Sequence, residues 1–323
     1  MPMTGDASKQ MMTEEVGCLA HVFNERYLHW SQVRMRDTGS FHPDLVWARM
    51  RSERSEREIV LTFGNVDYRF SITDAMTRMM EDAEFLQETC DLDEMLVRES
   101  LASALMEGAS TTLRKVRRML SEGVPPEDVS DRMVLNIHRA MTFVSGNGNP
   151  SMTPESILHI HGIVMDGVLD EGCAGRFRDN DDVVVQDVMS GEVFHKPVPK
   201  DDILPGIEGL CDFINRGGDS IPPLIKGIII HYVIAHIHPF EDGNGRVARV
   251  MFYWYVLACG CRFMEHLPLS EYIREHKGRY EESFVFAETD GNDMGYFIMY
   301  NLQTLGHDVG TRRIDSGRSR WTS

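Results

Sequence analysis

The chain has 323 residues, of which 42% are hydrophobic and 26% charged, a composition typical of a folded globular protein with one large or two medium domains. Its formal net charge of −17 argues against a general nucleic-acid binder, because phosphate backbones select basic surfaces. The six cysteines follow no disulfide framework and fit a reducing cytosol. Neither a signal peptide nor an apolar run of membrane-spanning length is visible, so we expect a cytoplasmic protein without a membrane partner.

The first third of the chain is predicted to be helical apart from one hairpin. Residues 13–35 carry apolar side chains at helical spacing. Residues 59–63 and 66–70 each alternate apolar and polar side chains on either side of Gly64-Asn65, which predicts a β-hairpin with a tight turn. Helical patterns return at 73–88 and continue after Cys90.

The rest of the chain is predicted to be helical with a second hairpin. Thr153 followed by Pro154 indicates an N-cap and the first residue of a helix. Two β-rich runs flank Ser190-Gly191 and predict a hairpin. The expected fold class is therefore mainly α with two short hairpins. Further helices are predicted at 129–143, 202–216, 223–237, 244–260, 269–288 and 293–305.

The stretch HPFEDGNGR, residues 238–246, places a dense polar cluster between two apolar runs, where unpaired polar groups are costly. Gly243, Asn244 and Gly245 stand at the start of a predicted helix. Backbone N–H groups and the positive end of the helix dipole form an anion site there, and phosphate is its usual occupant. Arg246 and Arg249 are three residues apart, so both lie on one helix face and can bind further phosphate oxygens.

Two side chains beside this predicted anion site add chemistry. Asp242 can hold Mg²⁺, which prefers one or two carboxylates together with phosphate oxygens and water. A neutral His238 suits a general base that takes a proton from a hydroxyl near pH 7. Each feature alone has an ordinary alternative: a structural histidine, a simple turn, or a solvated helix face carrying the two arginines. The ordered set favours nucleotidyl or phosphoryl transfer.

The same stretch resembles the signature of the Fic family, His-Pro-Phe-x-(Asp/Glu)-Gly-Asn-(Gly/Lys)-Arg, at every defined position, with the usual second arginine at Arg249. The likeness extends over about residues 150–290 and includes a segment similar to the β-hairpin flap of the family. It implies a Fic-type helical core at 111–290. A mostly helical N-terminal region would occupy 1–110, and a C-terminal helix with a flexible tail would occupy 291–323.

The resemblance also implies an activity and a set of roles. Fic proteins with this motif mostly transfer AMP from ATP to a Ser, Thr or Tyr hydroxyl of a target protein; the target could include the chain itself, and homodimer formation stays open. Gly245 favours AMP transfer, because the phosphorylating branch of the family typically has lysine there. The implied roles are base for His238, Mg²⁺ ligand for Asp242, phosphate binding for Gly243, Asn244, Gly245 and Arg246, γ-phosphate clamp for Arg249, and loop anchor for Phe240.

A second, shorter motif lies upstream, in SALMEG at residues 103–108. Ser103 and Glu107 are four apart and share a helix face. Spacing alone favours a solvent-exposed glutamate. The string resembles the inhibitory motif of the family, (Ser/Thr)-x-x-x-Glu-(Gly/Asn), which implies an inhibitory helix at about 92–108. Glu107 would then pair with Arg249 and misplace the phosphates of bound ATP, so that in-line attack fails.

Three functions remain open from the sequence. The first is an autoinhibited protein adenylyltransferase. The second is another reaction on the same scaffold: transfer of UMP, a phosphoryl group or phosphocholine, or removal of AMP with Glu107 positioning a water. The third is a non-enzymatic nucleotide-binding regulator, which His238 and Asp242 disfavour because a pure binder needs neither a base nor a metal ligand.

Overall fold

The computed structural model describes residues 5–84, 91–148, 151–170, 172–186 and 193–305. They form helices and two antiparallel two-stranded hairpins, which confirms the predicted mainly α fold class. The helices are α1 (Gly5–Glu25), α2 (Trp30–Val33), α3 (Pro43–Ser55), α4 (Asp74–Glu84), α5 (Leu92–Met106), α6 (Leu113–Glu122), α7 (Val129–Gly146), α8 (Pro154–Val164), α9 (Lys200–Asn215), α10 (Pro223–Ile237), α11 (Asn244–Ala258), α12 (Leu269–Glu275), α13 (Lys277–Thr289) and α14 (295–305). The strands are β1 (Ile59–Phe63), β2 (Val66–Phe70), β3 (Val185–Gln186) and β4 (Val193–His195), and a 3₁₀ helix spans Arg262–His266.

Helices α10 and α11 form the centre of the molecule and pack against each other. Helix α10 is apolar on all sides, and every residue from Leu224 to Ile234 is buried, as expected for a helix surrounded by others. Helices α7 and α8 pack on α11, and α5 packs on α7 and α12. The loop between α10 and α11, which carries the predicted chemistry, is therefore held at both ends by buried helices.

The first hairpin has the predicted register. Ile59 pairs with Phe70 and Phe63 with Val66, and Phe63, Tyr68 and Phe70 are buried in the main core. The turn at Gly64 adopts a φ of +59°, in the left-handed region that glycine tolerates best. The hairpin packs against α9.

A small second core joins α1, α2 and α3, separate from the main one. Arg54 links this part to the C-terminal helices: Nη1 donates to the Tyr296 hydroxyl at 2.7 Å and lies 3.5 Å from Asp293. The guanidinium also lies over the Tyr27 ring, 4.0 Å from its centroid. The predicted N-terminal region 1–110 thus divides between two cores, since its hairpin and α5 belong to the main one.

Some predicted boundaries change. The single helix predicted at 269–288 is wrong, because the chain breaks at His276 (φ −124°) and forms α12 and α13. The Thr153 cap of α8 is confirmed, with its side chain accepting from Ser156 N. Strands β3 and β4 pair as an antiparallel hairpin, but its predicted Ser190-Gly191 turn lies outside the described residues. Within the described ranges, none of the helices is long and apolar enough to cross a membrane.

Candidate active site

The loop that joins α10 to α11 is shaped by its own side chains. Helix α10 ends at His238, which adopts the left-handed conformation (φ 53°, ψ 59°) that non-glycine residues rarely take. Asn244 clamps the loop from the other end: Oδ1 accepts from Phe240 N at 2.9 Å, and Nδ2 donates to Phe240 O at 2.8 Å. Phe240 is fully buried, in agreement with its predicted anchoring role. Both ends of the Asn244 amide are bonded within the loop, so only the backbone N–H of Asn244 is left for the predicted phosphate contact.

His238 has a single defined tautomer when neutral. Its Nδ1 lies 3.1 Å from the carbonyl oxygen of Ala235, and because a carbonyl only accepts, Nδ1 carries the proton and Nε2 keeps its lone pair. Burial lowers the pKa of His238 to about 4, while the Ala235 carbonyl acts in the opposite direction. The imidazole is therefore neutral near pH 7, with Nε2 available to accept a proton.

The start of α11 presents an anion site. Gly243 is the N-cap at φ +87°, and the backbone N–H groups of the first helical turn have no acceptor within the helix. Arg246 is only 1% exposed, yet its Nε and Nη1 have no hydrogen-bond partner among the described residues. Buried polar groups are normally paired, so these two Arg246 nitrogens are able to donate to an anion from outside the chain.

Asp242 stands at the edge of this anion site. Its Oδ1 accepts from Arg246 Nη2 at 2.7 Å and from Gly243 N at 2.6 Å, and its side chain is 51% exposed. Partial burial raises the pKa of Asp242, but the charge and hydrogen bonds of these neighbours outweigh it and hold the pKa below its usual value. The carboxylate is thus ionised and accessible, as a Mg²⁺ ligand must be.

Arg249, one turn further along α11, is occupied by the chain itself. Its Nε donates to Ser103 Oγ at 2.8 Å, and its Nη2 donates to Ser103 O at 3.2 Å and to Glu107 Oε1 at 2.8 Å. Arg249 is 2% exposed. The predicted pairing of the two motifs is present in this structure, and the solvated-face alternative for Arg249 is wrong, whereas Glu107 keeps a side chain that is 28% exposed.

Gly245 leaves room for this ion pair. A Cβ at that position would lie 2.6 Å from Glu107 Oε1 and 3.0 Å from Arg249 Nη1, both too close for ordinary packing. Glycine at this point of the motif therefore leaves room for the Glu107 carboxylate where it lies, and a larger residue would displace the ends of these two side chains.

Helix α5, which carries Ser103 and Glu107, is fastened to the core by a third residue that the sequence did not reveal. Glu99 is buried, and its Oε2 accepts from Ser270 N at 2.8 Å and from the Tyr253 hydroxyl at 3.2 Å. Burial raises the pKa of Glu99, opposed by these hydrogen bonds. The body of α5 is anchored here, and Glu107 lies at the C-cap of this helix, beyond the anchor.

Two more residues support the loop without having been predicted. His161 on α8 stacks on Phe240, with centroids 3.8 Å apart, and its Nε2 donates to the carbonyl of Asp242 at 3.1 Å. Arg178 holds the other side, because its Nε donates to the carbonyl of His238 at 3.0 Å and its backbone N to that of Pro239 at 2.9 Å. Neither residue belongs to the contiguous motif, so no local spacing pointed to them.

Comparison with known proteins agrees with this geometry. The model of the Fic/DOC family matches residues 151–256, a range that includes the loop and most of α11. The protein adenylyltransferase Fic of Nematostella vectensis is 26% identical over 221 residues, which are 64% of this chain and 50% of that protein. Protein adenylyltransferase fic-1 of Caenorhabditis elegans is 26% identical over 185 residues, 55% of this chain and 32% of that protein. The chain thus spans at most about half the length of these curated relatives.

Solved structures share the fold. A Fic family protein from Desulfovibrio desulfuricans G20 superimposes with a TM-score of 0.64 at 21% identity, covering 79% of this chain and 78% of that one. Residues 134–508 of Fic-1 from C. elegans give a TM-score of 0.61 at 20% identity, covering 97% and 86%. The complete signature motif at residues 238–246 lies inside the range 151–256 that matches the Fic/DOC family, so this part of the chain is similar to that family in both sequence and fold.

Proposed function

We propose that the protein is an adenylyltransferase that transfers AMP from ATP to a hydroxyl side chain of a target protein. The observation that carries the proposal is the His238 ring, which is held neutral with Nδ1 protonated by the Ala235 contact and Nε2 free. It stands at one end of a loop whose other end is an anion site with unpaired Arg246 nitrogens. A base beside a phosphate site is what hydroxyl-to-phosphorus transfer needs. The adenylyltransferase names of the curated relatives support the same activity.

A few groups of the chain would carry out this transfer. The oxygen of the target hydroxyl attacks the α-phosphorus, the bond from that phosphorus to the bridging oxygen breaks, and pyrophosphate leaves. Nε2 of His238 takes the hydroxyl proton. The first-turn N–H groups of α11 and the Arg246 guanidinium hold the phosphates and stabilise charge in a preformed site.

Asp242 is the proposed Mg²⁺ ligand, and its ionised, half-exposed carboxylate fits that cation. When bound, Mg²⁺ supplies charge neutralisation at the phosphate oxygens. Arg246 holds Asp242 Oδ1 at 2.7 Å, so the same side chain positions the metal ligand and contacts the phosphates.

The resting protein is autoinhibited in this proposal. Arg249 should clamp the γ-phosphate, but Glu107 and Ser103 occupy its donors. ATP can still reach the first turn of α11, yet its terminal phosphate is turned away and the α-phosphorus is out of line for attack. Because Glu99 anchors α5 deeper in the core, release requires rotation of the Glu107 side chain at the helix end and leaves α5 in place.

Target recognition is assigned to the β3–β4 flap. Its paired residues are few, and Val184 and Val193 are 40% and 54% exposed. An exposed strand edge is a template for pairing with an extended segment of another protein. Proline at Val184 or Gln186 should then abolish target modification while self-labelling persists, whereas equal loss of both would mean that the flap only shields the nucleotide.

The proposed activity is tested by incubating the Glu107→Gly variant with labelled ATP, UTP or CTP and Mg²⁺, with protein labelling as the readout. We expect labelling from α-labelled ATP alone. Asp242→Asn in the same background should lower the rate at low Mg²⁺, with partial recovery at high Mg²⁺. Labelling from UTP or CTP instead would replace AMP by another nucleotide, and ATP binding without any labelling would indicate a nucleotide-binding regulator.

A further inference from the structure

We propose that His195, on strand β4 of the flap, is a positioning residue for the base His238. The inference rests on the proposed role of His238 and concerns a residue outside the signature motif. Helix α10 needs support at its end: because it stops at His238 in a left-handed turn, its last carbonyl groups have no partners within the helix.

His195 provides one of those partners. Its Nε2 lies 2.7 Å from the carbonyl oxygen of His236, two residues before His238, so Nε2 must carry a proton and donate it. His195 is 9% exposed, and its ring centroid lies 6.4 Å from that of His238. A side chain from the flap therefore binds the last turn of the helix that ends at the base.

The other nitrogen of His195 faces an anion. Nδ1 lies 2.7 Å from Glu288 Oε1, an ion-pair distance, with Glu288 provided by α13. His195 thus connects α13 to the end of α10 and holds strand β4 beside the turn that carries His238.

The same cluster has the composition of a metal site, because ligand atoms of His195, His236 and Glu288 lie within 4.8 Å of one another. Its contacts favour the observed arrangement without a metal ion. Nε2 of His195 is engaged with a backbone carbonyl, and Nδ1 of His236 lies 3.0 Å from the Tyr68 hydroxyl. Zinc would have to separate His195 Nδ1 from Glu288 Oε1, since ligand atoms about 2.0 Å from a tetrahedral ion stand roughly 3.3 Å apart.

The His195 contact affects the proposed reaction through the position of His238 Nε2. His238 Nε2 must face the target hydroxyl at hydrogen-bond distance, and a displacement of about 1 Å can lower a rate about 100-fold. The His195 contact fixes the turn on which His238 sits, while Arg178 fixes the carbonyl of His238 itself. Since β4 belongs to the flap, a target strand docked there lies on the element that holds the base.

The test compares two substitutions in the Glu107→Gly background. His195→Gln places an amide donor where Nε2 lies and keeps the bond to the His236 carbonyl; His195→Asn places its amide at the Nδ1 side and loses that bond. We expect His195→Asn to lower kcat for AMP transfer about tenfold or more with KM for ATP changed less than about twofold, and His195→Gln to recover most of the loss. Imidazole ¹⁵N spectra should show the single Nδ1–H tautomer of His238 in the parent and in His195→Gln, and a mixture in His195→Asn.

His276 is the matched control. It too lies beside the carbonyl at a helix end, with Nδ1 3.2 Å from Tyr272 O, but it is exposed and lies between α12 and α13, not at the end of α10. His276→Ala should leave kcat and the His238 spectrum unchanged. Equal kcat and an unchanged His238 tautomer in folded His195→Asn would overturn the inference, and so would stoichiometric Zn²⁺ binding lost in that variant. The spectra need no turnover, so a parent that labels nothing refutes the proposed function while the role of His195 is still decided.

Discussion

The first and second turns of α11 each place an arginine toward the same site, and the two arginines are in opposite states. Arg246 has two buried nitrogens without partners in the described residues. Arg249 donates to Ser103 and Glu107 from another helix. Both are almost fully buried, so burial does not explain the difference. One arginine has donors free for a ligand and the other is paired with the protein's own anion, so the proposed regulation would act at the second turn.

Removing the base tests whether the open half binds nucleotide by itself. His238→Ala in the Glu107→Gly background should reduce AMP transfer about 10²–10⁴-fold, the usual contribution of a general base. Mg-ATP should still raise the melting temperature as in the parent, because His238 acts on the target hydroxyl. Transfer at the parental rate would remove His238 from the mechanism.

The two arginines can be separated by their effect on binding in the otherwise unchanged protein. Arg246→Ala should weaken Mg-ATP binding roughly 10–100-fold, because charge-assisted hydrogen bonds contribute about 1.5–3 kcal/mol. Arg249→Ala should weaken it much less, since Arg249 is already occupied. Isothermal titration calorimetry measures both. Equal losses would mean that Arg249 contacts the nucleotide in spite of Glu107, and the contrast between the turns would fail.

Gly245→Ala tests the position of Glu107 beside Arg249 through the free energy of unfolding. Its Cβ would meet Glu107 Oε1 at 2.6 Å, so the substitution should destabilise the protein when Glu107 is present. Without Glu107 it should be neutral or stabilising, because alanine is the better helix former by about 0.5–1 kcal/mol. Urea unfolding of the unchanged protein, Gly245→Ala, Glu107→Gly and the double variant should show a coupling free energy of about 1 kcal/mol. No coupling would mean that Glu107 does not stay at its position beside Gly245.

The smallest expected effect concerns pH. Burial lowers the pKa of His238 to about 4, and only the neutral ring can accept a proton. The kcat of the Glu107→Gly variant should therefore be constant between about pH 6 and 8. The decrease in kcat that protonation of His238 causes should appear only as the pH falls toward 4. An acidic limb near pH 6.5, the value of an unperturbed histidine, would show that His238 is more solvated during turnover.

The sequence predicted the loop well because its chemistry is contiguous. Glycines, the acid and Arg246 lie within a few residues at a helix start, and the apolar runs on both sides predicted α10 and α11. The exception is Asn244, whose side chain binds Phe240 on both sides. An amide in a polar loop fits a phosphate ligand or a loop clamp equally well, and only the folded backbone distinguishes them.

Contacts between residues far apart in the sequence could not be derived from local patterns. Glu99 looks like any solvated glutamate of a helix until Ser270, 171 residues later, supplies its donors. Glu107 was identified by family resemblance, because its spacing alone favoured exposure. The break at His276 between α12 and α13 has Gly278 just beyond it, but a single glycine inside a helical pattern is tolerated and did not by itself indicate a break.

The central claim is that Glu107 holds Arg249 in place of a phosphate, and the rate of AMP transfer by Glu107→Gly relative to the unchanged protein tests it most directly. We predict a rate at least tenfold higher, with Arg249→Ala and the double variant both inactive because the clamp is gone. The single variant should also have a lower free energy of unfolding without ligand. The loss should be less than the roughly 3–5 kcal/mol of a fully buried pair, since Glu107 is 28% exposed. Mg-ATP should restore the stability. A rate no higher than that of the unchanged protein would contradict the claim, and a lower one would make Glu107 a participant in AMP removal.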